Sequence, residues 1–109
     1  MQTELQERLV SPLPHPGEIL LEDFMKPLGL SALALSRHMG LSDRTRIERL
    51  SRSAAPVTPD TAVRLARVLG TTPQFWLNLQ SQHDISRLLL EHGPAFDRLQ
   101  PLQKADVPA

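Results

Sequence analysis

Seven arginines fall between residues 31 and 67, at positions 37, 44, 46, 49, 52, 64 and 67, against three acids, Asp43, Glu48 and Asp60. A guanidinium neutralises phosphate, and its planar fork matches the acceptor edge of guanine; the hydroxyls of Ser42 and Thr45 suit phosphates and base edges too. That set of side chains fits a polyanion with readable edges. Arginines that merely solvate helices are the alternative, and charge alone does not decide between them. Catalytic readings fare worse. The histidines at 15, 38, 83 and 92 are scattered, and none forms an i, i+4 ligand pair. Glu18 and Glu22 share a helix face, as a carboxylate pair would, but acids near a helix start serve its dipole. His15, before Pro16, reads as a helix-start residue, and His83 and His92 as surface positions. The chain has no Cys, no G-x-S-x-G, no phosphate loop and no glycine-rich dinucleotide motif. The expectation is a protein that is no enzyme and takes no metal or cofactor.

The whole-chain charge conceals this arginine segment. Twelve basic and twelve acidic residues among 109 give a formal net charge of zero, which by itself argues against a nucleic-acid partner. Residues 1–30 carry two basic and five acidic groups, a net of −3; residues 31–67 carry +4; residues 68–109 carry −1. Charge asymmetry between segments points to an anionic partner for the basic one. Without Cys there is no disulfide framework, and a chain of this length folds without one. No apolar run approaches a membrane span and the N-terminus lacks a signal pattern, so a cytoplasmic, membrane-free protein is expected.

The elements that must position the arginines are all helical. Pro16 suits a first helical turn, Leu20, Leu21, Phe24, Met25 and Leu28 keep helical spacing, and Pro27 with Gly29 ends the run. Ser31 caps a second helix that Gly40 closes. Ser42 and Asp43 then open a third, on which only Ile47 and Leu50 are apolar. Thr58-Pro59-Asp60 starts a fourth, carrying Ala62, Leu65, Ala66 and Leu69 up to Gly70. Thr72-Pro73 starts a fifth, which carries Phe75, Trp76, Leu79, Ile85, Leu88 and Leu89 to about Gly93-Pro94. No segment alternates as a strand does. The reading is an all-α domain over residues 15–93, after a flexible lead-in over 1–14 and before a mobile tail over 94–109.

The segment SALALSRHMGLSDRTRIERL, residues 31–50, has the layout of a helix-turn-helix. A helix breaks at Gly40, and a three-residue turn, Gly40-Leu41-Ser42, leads into a polar helix whose narrow apolar stripe leaves most of its surface for something else. A helical hairpin with a solvated second helix has the same spacing. The last helix holds more apolar groups than one face buries in a small domain. Trp76, Leu79, Ile85, Leu88 and Leu89 are therefore candidates for self-association, with core packing as the alternative for part of them.

HPGEILLEDFMKPLGLS, TPDTAVRLAR and FWLNLQ, in that order between His15 and about Arg87, resemble the HigA-type antitoxins of the Xre helix-turn-helix group. The resemblance covers roughly two-thirds of the chain. It implies a lambda-repressor-like five-helix domain, a homodimer, binding to double-stranded operator DNA with repression of its own operon, and neutralisation of a RelE-like mRNA-cleaving toxin. A stand-alone Xre-type regulator without a toxin is the second reading. Carried onto this chain, the recognition helix starts near Ser42. Arg44, Thr45, Arg46 and Arg49 read bases or nearby phosphates, and Arg37 and Arg52 hold the backbone. The stretch from Gly40 to Thr58 is one residue longer than the family's, and the spacing of Ile47 and Leu50 puts the extra residue before Ile47. Such a shift turns the helix by roughly 100° and leaves open which of Arg44, Thr45 and Arg46 meets the bases. Where the family has Asn-Gly and basic residues, this chain has Arg52-Ser53-Ala54-Ala55, leaving Arg52 for the loop's phosphate contacts.

Overall fold

A computed structural model describes residues 10–108 of the chain. Among the described residues the architecture is five helices and a terminal 3-10 turn at Lys104–Asp106, with no strand. Helix α1 is three contiguous stretches: α-helical Pro16–Ile19, a wider π-type Leu20–Met25, and α-helical Lys26–Leu28. Helices α2 (Ala32–His38), α3 (Thr45–Ser51), α4 (Pro59–Leu69) and α5 (Pro73–Asp97) follow. The all-α five-helix expectation is met.

Most helix starts follow from side-chain caps. The Ser31 hydroxyl accepts the Ala34 N–H, Thr58 the Thr61 N–H and Thr72 the Phe75 N–H, each satisfying a donor that lacks a partner within its helix. His15 does the same for α1: its Nδ1 accepts the Gly17 N–H at 2.9 Å, and Pro16 follows in the first turn. The end of α2 is closed by Gly40 in the left-handed region (φ 75°), with Leu41 N–H bonded to Ser36 O and Gly40 N–H to Arg37 O. A residue with a Cβ is strained there, so Gly40 fits the turn that reverses the chain.

One expected helix end holds and one is moved. Helix α1 ends at Leu28, with Pro27 in the restarted turn after the widened π stretch and Gly29 capping it in the left-handed region. Gly93-Pro94 does not stop α5. His92 breaks the helix (φ −132°, ψ 16°), and Pro94 then falls in the first turn of a continuing piece, where its missing N–H has no helical acceptor to leave empty.

The core gathers Leu20 and Met25 of α1, Leu35 of α2 with Met39 just after it, Ile47 and Leu50 of α3, Val57 from the loop before α4, Ala62 and Leu65 of α4, and Trp76 of α5. Every helix contributes, so α3 is seated by the other four. Helix α1 crosses it at very close range. A Cβ built on Gly17 would stand 1.8 Å from the Leu50 carbonyl oxygen, so only glycine lets α1 pass this near to the last turn of α3.

The stretch before α1 is fastened to α5. The Leu13 N–H donates to Ser86 Oγ at 2.8 Å, and His83 Nδ1 lies 2.7 Å from Leu13 O. His83 is thus half-buried, with its ring edge-on to buried His15 at 5.0 Å between centroids, and not the surface residue its spacing suggested. His92 is exposed. Residues 1–9 of the expected lead-in lie outside the described residues.

Candidate nucleic-acid interface

The helix-turn-helix consists of α2 and α3, joined by a longer turn than the sequence suggested. Instead of starting near Ser42, α3 begins at Thr45. The reason is local: Asp43 Oδ1 accepts the Thr45 N–H at 2.9 Å, a side-chain turn that holds Ser42 to Arg44 out of the helix. Ser42 therefore sits in the turn, and Arg44 occupies the cap position.

This start sets the phase of every arginine on α3. Ile47 and Leu50 are buried, at 0% and 1% exposure, and define the inward seam. At 100° per residue, Thr45 and Arg52 stand roughly opposite that seam, with Arg49 close beside them. Arg46 stands only about 70° from the seam, on the flank facing α4. The outward row is thus Thr45, Arg49 and Arg52, at offsets 0, 4 and 7. Arg37, in the last turn of α2, is exposed as well.

All three acids of this segment act within it. Asp43 caps α3. Glu48 lies between two arginines, with Oε1 2.6 Å from Arg44 Nε and Oε2 3.5 Å from Arg52 Nη2. Asp60 Oδ2 accepts from Arg46 Nη1 at 2.5 Å and from Arg64 Nε at 2.9 Å. Those hydrogen bonds, the one from Arg46 first, hold the Asp60 carboxyl below the usual carboxylate range. Arg49 reaches the Ala54 carbonyl, at 3.5 Å. Among the described residues, no carboxylate pairs with Arg37, Arg49 or Arg67. Beside α3 a groove of about 330 Å³ is lined by Asp43, Thr45, Arg46, Arg49 and Thr61 among others. An exposed helix with this hydroxyl and these cations can approach a duplex groove and its phosphates.

The candidates for self-association divide. Trp76 is fully buried in its own chain, its indole N–H donating to Thr71 Oγ1 at 2.7 Å and its ring set against Phe24 and Phe75. It has no surface to offer a partner, which corrects its assignment. Leu79 packs against the core, and Leu89 is 8% exposed. Ile85 and Leu88 are exposed, and together with Leu89, Phe96 and Leu99 they line a shallow apolar hollow of about 370 Å³. Phe96 and Leu99 were missed because the sequence placed them in the tail; the continuation of α5 past Pro94 brings them to this face. Asp60 was missed as well, since its pairing with Arg46 spans 14 residues and no helical spacing reveals it.

No family model matches the sequence. Individual proteins do. Virulence-associated protein I of Dichelobacter nodosus is 46% identical over 74 residues, 68% of each chain. Among solved structures, an addiction module antidote protein of the HigA family from Coxiella burnetii superposes with a TM-score of 0.77 at 38% identity, covering 84% of this chain and 100% of that one. The Pseudomonas aeruginosa antitoxin HigA, solved with the higBA promoter, gives 0.76 at 32% identity, covering 84% and 99%. The two structural likenesses each span 84% of the chain, and the chain belongs to the HigA-type antitoxins of the helix-turn-helix group.

Proposed function

We propose that this chain is a DNA-binding antitoxin that represses its own operon as a homodimer and neutralises a RelE-like mRNA-cleaving toxin. The observation that carries the DNA reading is the match, over 99% of its length, to a HigA solved with its promoter, together with a recognition helix whose outward row is Thr45, Arg49 and Arg52. Arg49 and Thr45 are the base-reading candidates, with Arg44 beside them at the helix start. Arg37 and Arg52 hold phosphates from either side, Ser42 contacts the backbone from the turn, and Arg46 enters from the α4 flank. Two copies joined through Ile85, Leu88 and Leu89, with Leu79 behind them, present two recognition helices to successive major grooves about 34–36 Å apart. Such a protein works in the cytoplasm, and no described helix is long and apolar enough to cross a membrane.

The test is binding to the intergenic DNA upstream of the reading frame, measured by fluorescence anisotropy across a salt series. Neutralising about six phosphates per dimer predicts a log–log slope of about −5. A slope near zero rejects the DNA reading. The toxin half is tested by co-expression: a small basic protein encoded next door should arrest growth alone and be silenced by this chain. If no such protein is encoded there, the stand-alone regulator takes its place.

A further inference from the structure

Resting on the DNA-binding reading, we propose that Asp60 is a specificity-determining residue: it positions Arg46 beside the recognition groove and keeps the Arg46 and Arg64 guanidinium groups from binding phosphate indiscriminately. The geometry is a relay across the helix-turn-helix. Arg64 Nη1 donates to Met39 O, the C-cap carbonyl of α2, at 2.7 Å, and Arg64 Nε donates to Asp60 Oδ2 at 2.9 Å. The same oxygen accepts from Arg46 Nη1, which also lies 3.5 Å from Thr61 Oγ1. The Asp60 carboxylate in the first turn of α4 thus binds the second residue of α3 directly and the end of α2 through Arg64.

Exposure decides what such a relay can do. The Arg46, Asp60 and Arg64 side chains are 44%, 56% and 38% exposed, so solvent screens the pairs and they add little to fold stability. Their effect is on geometry and on charge. An unpaired arginine on a mobile stem reaches any phosphate within range. Arg46, held through one nitrogen by Asp60 and lining the groove beside α3, keeps its other donors in a fixed direction. A phosphate that approaches Arg46 or Arg64 also meets the negative charge of Asp60. A base edge that fits the fixed fork gains a directed hydrogen bond without displacing the carboxylate. The carboxylate thus lowers affinity for arbitrary DNA more than for the matched site, which is selectivity by repulsion as well as by contact.

The decisive experiment uses the full chain and two duplexes of equal length: its upstream intergenic DNA, and a scrambled sequence of the same base composition. Asp60→Asn should raise affinity for the scrambled duplex several-fold and steepen its salt slope by about one. The ratio of intergenic to scrambled affinity should fall about tenfold. Asp60→Glu, which restores the charge, should recover most of that ratio. As a second variant, Arg46→Ala should weaken intergenic binding about tenfold while changing scrambled binding less than about threefold. A purely structural Asp60 would lose both affinities together with the fold, and could not gain affinity for scrambled DNA. An unchanged ratio in Asp60→Asn, whether both affinities rise, fall or stay, overturns the proposal. If the unmodified chain itself fails to tell the two duplexes apart, the DNA-reading model fails and the role of Asp60 falls with it.

Discussion

The cationic face on α3 and the apolar face near the end of α5 are both exposed, but the chain treats them differently. On α3, Glu48 sits between Arg44 and Arg52, and Asp60 joins Arg46 to Arg64. At the end of α5 and just beyond it, Ile85, Leu88, Phe96 and Leu99 are 41–72% exposed, and among the described residues nothing seals the hollow they line. A paired cation can exchange its carboxylate for a phosphate at small net change, and salt competes with both. An apolar face gains only by being covered, and salt at physiological strength hardly touches that gain. One face therefore suits a contact that is made and broken, the other a contact that persists. Raising salt should release DNA while leaving the proposed dimer intact.

The largest expected effect comes from charging the apolar face. Leu88→Asp should convert the proposed dimer to monomer in sedimentation equilibrium, because an unpaired carboxylate cannot be buried there. Each recognition helix then binds alone, and operator affinity should fall about 100-fold or more, since the second half-site no longer binds as part of the same molecule. Leu88 is 42% exposed in the single chain and lies outside its core, so the fold should survive the change. A variant that remains dimeric would place the self-association surface elsewhere.

The cationic face, by contrast, depends on what lies beneath it. Gly17→Ala would push a methyl group into the Leu50 carbonyl, at a separation of 1.8 Å before anything moves. Backbone cannot swing aside as a side chain can, so α1 and α3 must part. The expected loss is about 3 kcal/mol, the upper end for overpacking, read from urea unfolding. A loss below about 1 kcal/mol would mean that α3 is not held by this contact.

These two faces also mark how far the sequence could be read. The helices, the caps at Ser31, Thr58 and Thr72, and the turn at Gly40 were legible because each is a local contest between a few adjacent groups. So were the arginines, since charge shows in composition. What escaped notice depends on residues far apart in the chain. Trp76 has the spacing of a partner-facing residue, yet Phe24 from α1 covers it. Phe96 joined the apolar face only because the break at His92 lets α5 resume. The Asp60–Arg46 pair could not be foreseen from either helix alone.

A third, smaller effect separates the arginines from each other. Arg49 faces outward with no carboxylate partner among the described residues, so its charge is fully available to DNA. Arg49→Ala should weaken operator binding by about 1–3 kcal/mol and flatten the salt slope by about one. The dimer should be untouched. Unchanged affinity would remove Arg49 from the interface and shift the reading face toward the Arg46 flank.

The smallest effect concerns the seat of α3 through the cap of α1. Burial, and next the neighbouring His83, hold the His15 imidazole below its ordinary 6.5, against the opposing pull of Asp84 and Glu18, while Arg87 acts with His83. The geometry agrees, because a proton on Nδ1 would face the Gly17 N–H it now accepts. With the folded pKa lowered, the unfolded chain binds more protons in the window just below 6.5. Stability from this group is therefore complete above that pH and declines as pH falls through the window. At pH 5.5 the ceiling on that loss is about 1.4 kcal/mol, and solvent in an open pocket that His15 lines with Ala54, Gln80 and Asp84 keeps it lower. Asn caps helices as well as any residue and does not titrate. His15→Asn should therefore lose less stability than the unmodified chain between pH 7.5 and 5.5 in urea melts, with dimerisation through α5 equal in both. Identical pH dependence of the two proteins would show that the proton sensitivity of this seat lies in another group.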